Sequence, residues 1–193
     1  MSRFFARSAG LGLPGMAIAG AFVIAWAGPA AAVPMADADP ASRADNRYCA
    51  VLVGKDADPD APSSALAAAC SDTSRDDART KMRQAAERTA PRAEAASSDL
   101  LMTWFDDAHY NGSSTDIYGD SGPCDSAGYE IQLSTTWPWS WGNTISSAAG
   151  TETCDTADFI SQSGTYARTF NLPVPYIGNT LNDNVRTIRV WND

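Results

Sequence analysis

Apolar and polar positions alternate with a different rhythm in each of four stretches of the chain. From Leu11 to Trp26-Ala27 the chain is largely apolar, behind Arg3 and Arg7 and ahead of Ala30-Ala31-Ala32. A basic start, an apolar run and small residues at an A-x-A position predict an export signal over residues 1–32, cleaved after Ala32. Gly10, Gly12, Pro14, Gly15 and Gly20 make the run a poor spanning helix. No later segment is apolar for long enough to cross a bilayer. Residues 33–48, rich in Ala, Asp and Pro, show little periodicity and read as a flexible linker.

Residues 49–99 form a small, partly helical region in this reading. Cys49-Ala-Val-Leu-Val-Gly54 is a short apolar run and a candidate strand. Pro59 and Pro62 make a loop of residues 56–62. Ser63 or Ser64 then caps a short expected helix from Leu66 to Cys70. A clearer helix is predicted from Ser74 to Ala90. Ser74-x-x-Asp77 is a capping-box-like start, Asp77 and Lys81 sit one turn apart, and Pro91 stops the helix. Its apolar stripe of Ala78, Met82, Ala85 and Ala86 is thin, which predicts loose packing or none. The Ala/Ser run at residues 93–98 reads as a second linker.

From residue 100 onward Trp, Tyr, Phe, Gly, Thr and Asn replace the helix formers. Short apolar runs recur at 100–105, 113–118, 129–133, 145–148, 154–160, 165–170 and 187–191, with Gly, Asn and Asp between them. That spacing predicts a β-sandwich or barrel over residues 100–193, and nothing has βαβ spacing.

Charge narrows the partners. The chain carries 14 basic and 23 acidic residues, a net charge of −9, or −11 once Arg3 and Arg7 leave with the signal. From residue 100 there are three basic residues, Arg168, Arg186 and Arg189, against eleven acidic ones. Phosphate binding needs clustered Lys and Arg, so nucleic acid and anionic membranes are excluded as partners. Four cysteines, Cys49, Cys70, Cys124 and Cys154, follow the export signal, which points to disulfides and an extracellular setting. Three pairings are open to them. The sequence-local one, Cys49–Cys70 and Cys124–Cys154, is preferred, each bond stabilising by about 3–4 kcal/mol on the loop-entropy estimate. Metal ligation by these cysteines is the weaker alternative: no C-x2-C occurs and His109 is the one histidine.

Two features bear on chemistry. Trp104-x5-Tyr110-x-Gly112 places two aromatics and a glycine around one hairpin, where the ring of Tyr110 is expected to stack near Trp104. Two polar loops, Asn143-Thr144-Ile145-Ser146-Ser147 and Asn182-Asp183-Asn184-Val185-Arg186-Thr187, echo one another about forty residues apart. Turns of this kind offer carbonyl, amide and hydroxyl oxygens, the donors calcium takes; Asx- and ST-turns use the same residues.

These residues resemble the βγ-crystallins. Trp104-x5-Tyr110-x-Gly112 is similar to that family's Greek-key signature, and residues 142–147 and 182–187 resemble its calcium motif, Asn/Asp-Asn/Asp-x-x-Ser/Thr-Ser. Exported bacterial members look most similar. The resemblance covers residues 100–193. It implies an all-β sandwich of two Greek keys, preceded here by the partly helical region, with two calcium sites shared between the motifs. It further implies Asn143, Thr144 and Ser146 as metal residues in the first loop, and Asn182, Asp183 and Asn184 in the second. Two departures weaken calcium binding. Gly142 replaces the first Asn/Asp of the first motif. Arg186 stands where a hydroxyl ligand belongs, and a guanidinium has no acceptor. At most one good site, built on Ser146, is expected. The hairpin from Phe159 to Gly164 is also shorter than the signature.

Catalysis is not expected. His109 has Asp106, Asp107, Ser113 and Ser114 near it, but residues so close on one hairpin do not converge as a triad, and no G-x-S-x-G occurs. Glu130 and Glu152 carry no mark of a glycosidase pair. Trp137, Trp139 and Trp141 alternate through one loop and either cap the core or stand exposed as a partner surface. The expectation is therefore a secreted, monomeric, non-enzymatic protein that binds calcium weakly. The alternatives are an inhibitor of an extracellular (metallo)peptidase and a glycan- or cell-wall-binding module using the Trp loop.

Overall fold

A computed structural model describes residues 48–55, 61–89, 98–134 and 143–193. The Trp137, Trp139, Trp141 loop, the export signal and most of both linkers lie outside the described residues. Among the described residues nine strands form two sheets with one α-helix. The strands are β1 (Tyr48–Val53), β2 (Ala65–Ser71), β3 (Asp99–Phe105), β4 (Ser114–Gly119), β5 (Tyr129–Gln132), β6 (Ser147–Gly150), β7 (Thr156–Ser161), β8 (Ala167–Asn171) and β9 (Val185–Trp191); the helix α1 is Arg75–Thr89. One sheet has the order β2-β1-β4-β3-β6, the other β5-β9-β7-β8. The all-β sandwich expected from the strand spacing is what the chain forms.

The connections define two Greek-key units. In the first, β3 lies between β4 and β6, while β5 crosses to the opposite sheet beside β9. In the second, β7 lies between β8 and β9, and Val174 returns to bridge Ala148 on β6. Each unit thus lends its third segment to the other's sheet. Between the sheets lie Trp104, Ile117, Tyr129, Ile131, Phe159, Ile188 and their neighbours, all buried.

Residues 48–89 depart from the sequence reading in two ways. Leu66 to Cys70, expected as a short helix, lies within β2. It pairs antiparallel with β1, so that Cys49 stands opposite Cys70 and the two are disulfide-bonded. An Ala-rich segment has helix propensity, but a covalent tie to a strand and a row of ladder hydrogen bonds outweigh it. The helix that follows is capped as expected, the Asp77 N–H donating to Ser74 Oγ at 3.1 Å. Hydrogen bonds from Lys81 and then from Ser71 hold the Asp77 carboxyl below its ordinary pKa.

The expected loose packing of α1 is corrected. Ala78 and Met82 are buried against Ala50, Ala67 and Tyr118 on the outer face of the first sheet. Small residues let the helix axis approach the sheet closely, which the apolar count alone did not reveal. Arg75 reinforces the contact: its guanidinium pairs with the buried Asp116 carboxylate and donates to Thr103 Oγ1, which itself donates to Asp116. Arg79 lies over the Tyr118 ring, 4.9 Å from its centroid. Because β1 flanks β4 in parallel and α1 covers its face, all six residues of β4 are buried.

The second disulfide, Cys124–Cys154, ties the β4–β5 connection to the turn before β7, and both cysteines are buried. Both bonds are the sequence-local pairs. Among the described residues no helix is long and apolar enough to cross a membrane.

Candidate cation-binding loops

The first corner is built from backbone geometry that its residues do not favour. After β3 the chain turns through Asp106 and Asp107 into a single 3-10 turn at Ala108–Tyr110. His109, Tyr110 and Gly112 all have left-handed backbones, with φ of 60°, 63° and 76°. For His109 and Tyr110 this is strained, and outside contacts hold it in place. The His109 N–H donates to the Pro175 carbonyl at 2.7 Å. The Tyr110 N–H donates to Ser147 Oγ at 3.0 Å. At Gly112 a side chain is disfavoured for a second reason: a Cβ there would collide with the Asp106 carboxylate and force it to move.

Tyr110 does not stack near Trp104 as expected. Its ring meets Phe105 edge-on, 5.7 Å between centroids, while Trp104 is fully buried between the sheets. Successive strand residues point to opposite faces, so a ring outside the sandwich meets Phe105 rather than its neighbour.

The serines of the first loop hold this corner. Ser146 Oγ donates to the Asp106 carbonyl at 2.6 Å, and Ser147 Oγ donates to the Asp107 carbonyl at 2.7 Å. A hydroxyl has one hydrogen and two lone pairs, so Ser146 Oγ keeps acceptor capacity after this bond. Burial raises the Asp106 carboxyl above its ordinary pKa, opposed by hydrogen bonds from Ser113.

The structure brings the two polar loops together. The Asp183 N–H donates to the Ile145 carbonyl at 3.1 Å, joining the second loop to the first. Gln162 spans both: its N–H donates to the Asn184 carbonyl at 3.0 Å. Its side-chain amide donates to the Val185 carbonyl at 2.6 Å and to Asn143 Oδ1 at 3.4 Å. Asn184 Nδ2 donates to the Thr180 carbonyl, and Asn182 Nδ2 to Asp183 Oδ2, which closes the second loop on itself. Asn143, Thr144 and Asp183 are exposed, Asn182 and Asn184 half-buried, and Ser146 buried. Sequence reasoning missed Gln162. Aligning Ser161-Gln162 in the second hairpin with Asp106-Asp107 in the first would have marked it.

Arg186 faces the second hairpin. Its guanidinium lies under the turn at Gly164, with Nη2 2.9 Å from where a Cβ on that glycine would stand. The cation at the hydroxyl position is thus directed toward the short second hairpin.

These donors suit a hard cation, though not a tight one. Ser146 Oγ, Asn143 Oδ1 and loop carbonyls are neutral oxygens, and Asp183 supplies the one carboxylate of the six loop residues. Among the described residues no group of three or more His, Cys, Asp or Glu side chains converges as a metal cluster. Calcium affinity rises with ligand charge, so an oxygen set with one anion belongs at the weak end of the range.

No protein-family model matches the chain, and no curated protein matches it. Among solved structures the chain is similar to a βγ-crystallin domain from Clostridium beijerinckii. The identity is 15%, over 47% of this chain and 97% of that one, with a TM-score of 0.35. A double threonine-to-serine mutant of that domain gives 16% identity over 48% and 98% of the two chains, with a TM-score of 0.37. At these values no residue's role is carried across.

Proposed function

We propose that the protein is a secreted, non-enzymatic β-sandwich of βγ-crystallin type that binds calcium weakly at one loop site and is stabilised by it. The site uses Asn143, Thr144 and Ser146, with Asp183 and Asn184 from the adjoining loop. The observation that carries this reading is that the two loops, about forty residues apart in sequence, are hydrogen-bonded together through Asp183, Ile145 and Gln162. The orientation of Arg186 toward Gly164 supports one site rather than two. The two disulfides support an extracellular setting.

A ligand that binds the folded state alone stabilises by mass action. With a Kd of about 0.1–1 mM, the range of extracellular calcium modules, 10 mM calcium adds about 1.4–2.7 kcal/mol. For a chain of this size that raises Tm by about 3–10 °C. Thermal unfolding with and without calcium is the test. A rise reversed by EGTA and abolished in Asn143→Ala with Asp183→Ala supports the reading, and an unchanged Tm at 10 mM calcium rejects it.

A further inference from the structure

The outer edges of the two Greek-key units are treated differently, and among the described residues the second is left open. β4 and β8 occupy equivalent places, each paired on one side with the first strand of its unit. On its other side β4 pairs with β1. Among the described residues no strand pairs with the other side of β8. Ala167, Arg168, Thr169 and Asn171 are exposed.

The hydrogen-bond phase shows which backbone groups face outward. The Ser161 N–H donates to the Tyr166 carbonyl, and the Leu172 N–H to the Asp155 carbonyl. Bonded pairs alternate along an antiparallel ladder, so Arg168 and Phe170 are the residues of β8 bonded to β7. Thr169 and Asp158 then form a non-bonded pair with side chains close together, and Thr169 Oγ1 does donate to Asp158 Oδ1 at 2.5 Å. The N–H and C=O groups of Ala167, Thr169 and Asn171 therefore point away from the sheet. An open edge of this kind is a template for another strand.

Charge selects the occupant. From Phe159 to Asn182 there is no Asp or Glu, in a chain whose net charge is −9. The same stretch carries Arg168 and the exposed Tyr166, residue types enriched where proteins meet. Two copies of an acidic protein repel over most of their surface; this stretch adds no negative charge to its edge, and the carboxylate beside it, Asp158, is hydrogen-bonded to Thr169.

We propose that two copies pair antiparallel through β8, across a two-fold axis at Thr169. This register matches the three outward residues without remainder: Thr169 opposes Thr169 of the second copy, and Ala167 opposes its Asn171. It supplies roughly six backbone hydrogen bonds between copies. It also sets each Arg168 opposite the other copy's Phe170. Within one chain Arg168 already lies over that ring, 4.7 Å from the centroid, so the cation–π contact is shared across the axis. A dimer of this form is isologous and closed, the commonest symmetry of soluble assemblies. The monomer expected from sequence is then the dilute form.

Sedimentation equilibrium from micromolar to near-millimolar protein tests the pairing. The wild-type chain is expected to pass from one-chain to two-chain mass. Thr169→Pro removes an outward N–H without touching a backbone bond to β7, loses the same side-chain bond to Asp158 that Thr169→Ala loses, and is expected to stay at one-chain mass. Thr169→Ala keeps that N–H and is expected to dimerise. Hydrogen exchange on the wild type gives an independent reading: the Ala167, Thr169 and Asn171 amides should slow at least tenfold between dilute and concentrated samples. A wild-type chain that stays monomeric at near-millimolar concentration overturns the proposal. Dimerisation of Thr169→Pro as tight as wild type, or exchange at those amides independent of concentration, overturns it as well.

Discussion

The two Greek-key units share a strand plan and differ in how each is finished. In the first, the outer strand β4 is flanked by β1, covered by α1, and buried at every residue. In the second, the equivalent β8 has one buried residue, Phe170. The corners differ as well. The first is long, has three left-handed residues, and is held by Ser146 and Ser147. The second is a short hairpin with left-handed Gly164, backed by the Arg186 guanidinium. One plan can therefore be completed by added chain on one side and left bare on the other. Burial of one sheet face by the partner sheet is common to both, and only that face is needed for the core.

The largest expected effect sits where the added chain meets the first unit. Arg75→Ala leaves the Asp116 carboxylate, which is 5% exposed, without its cation. Removing one member of a buried pair costs about 3–5 kcal/mol, and the partial exposure of Arg75 reduces this to about 2–3 kcal/mol. Urea unfolding measures it. A loss below about 0.5 kcal/mol, the range of a surface pair, would show that α1 is not fastened by this contact.

The corners give a matched pair of smaller effects. Gly112→Ala imposes a left-handed alanine and drives its Cβ into the Asp106 carboxylate, costing about 2 kcal/mol. Gly164→Ala imposes the same backbone penalty but meets a flexible guanidinium, costing about 1 kcal/mol. Equal losses in the two variants would break the contrast between a tight corner and a yielding one.

The smallest effect concerns the loops. Arg186→Ser is expected to raise the calcium stoichiometry from one to two, with a stability change of about 1 kcal/mol at saturating calcium. Calorimetric titration reads the stoichiometry. A single site in both proteins would mean that the second loop lacks more than its hydroxyl.

Much of the fold was legible because its signals are local. The strands from residue 100 onward announce themselves by short β-rich runs between Gly, Asn and Asp, and the structure shifts their ends by a few residues. Ser74 and Asp77 cap α1 as their spacing suggests. The failures lie where a long-range partner decides. Leu66 to Cys70 reads as helix until β1 is placed beside it. Tyr110 was set against Trp104 by proximity in sequence, but strand alternation put Phe105 on its face. At the loops, the two polar motifs could be read from sequence, whereas the bond from Gln162 to Asn143 forms only when the two units pack together.

What the amino-acid order determined by itself is the class of architecture, a preference for the sequence-local disulfide pairs among three, and the unequal make-up of the two loop motifs. Each follows from short-range chemistry: side-chain alternation, loop closure between nearby cysteines, and the absence of an acceptor on Arg186. What only the tertiary structure decided is which strand edges are covered. That depends on β1 reaching β4 across two intervening strands and a helix, a pairing between residues more than sixty apart. No local pattern encodes such an alignment, because the ladder of N–H and C=O groups is the same in every strand, and only the folded surroundings determine which partner it meets.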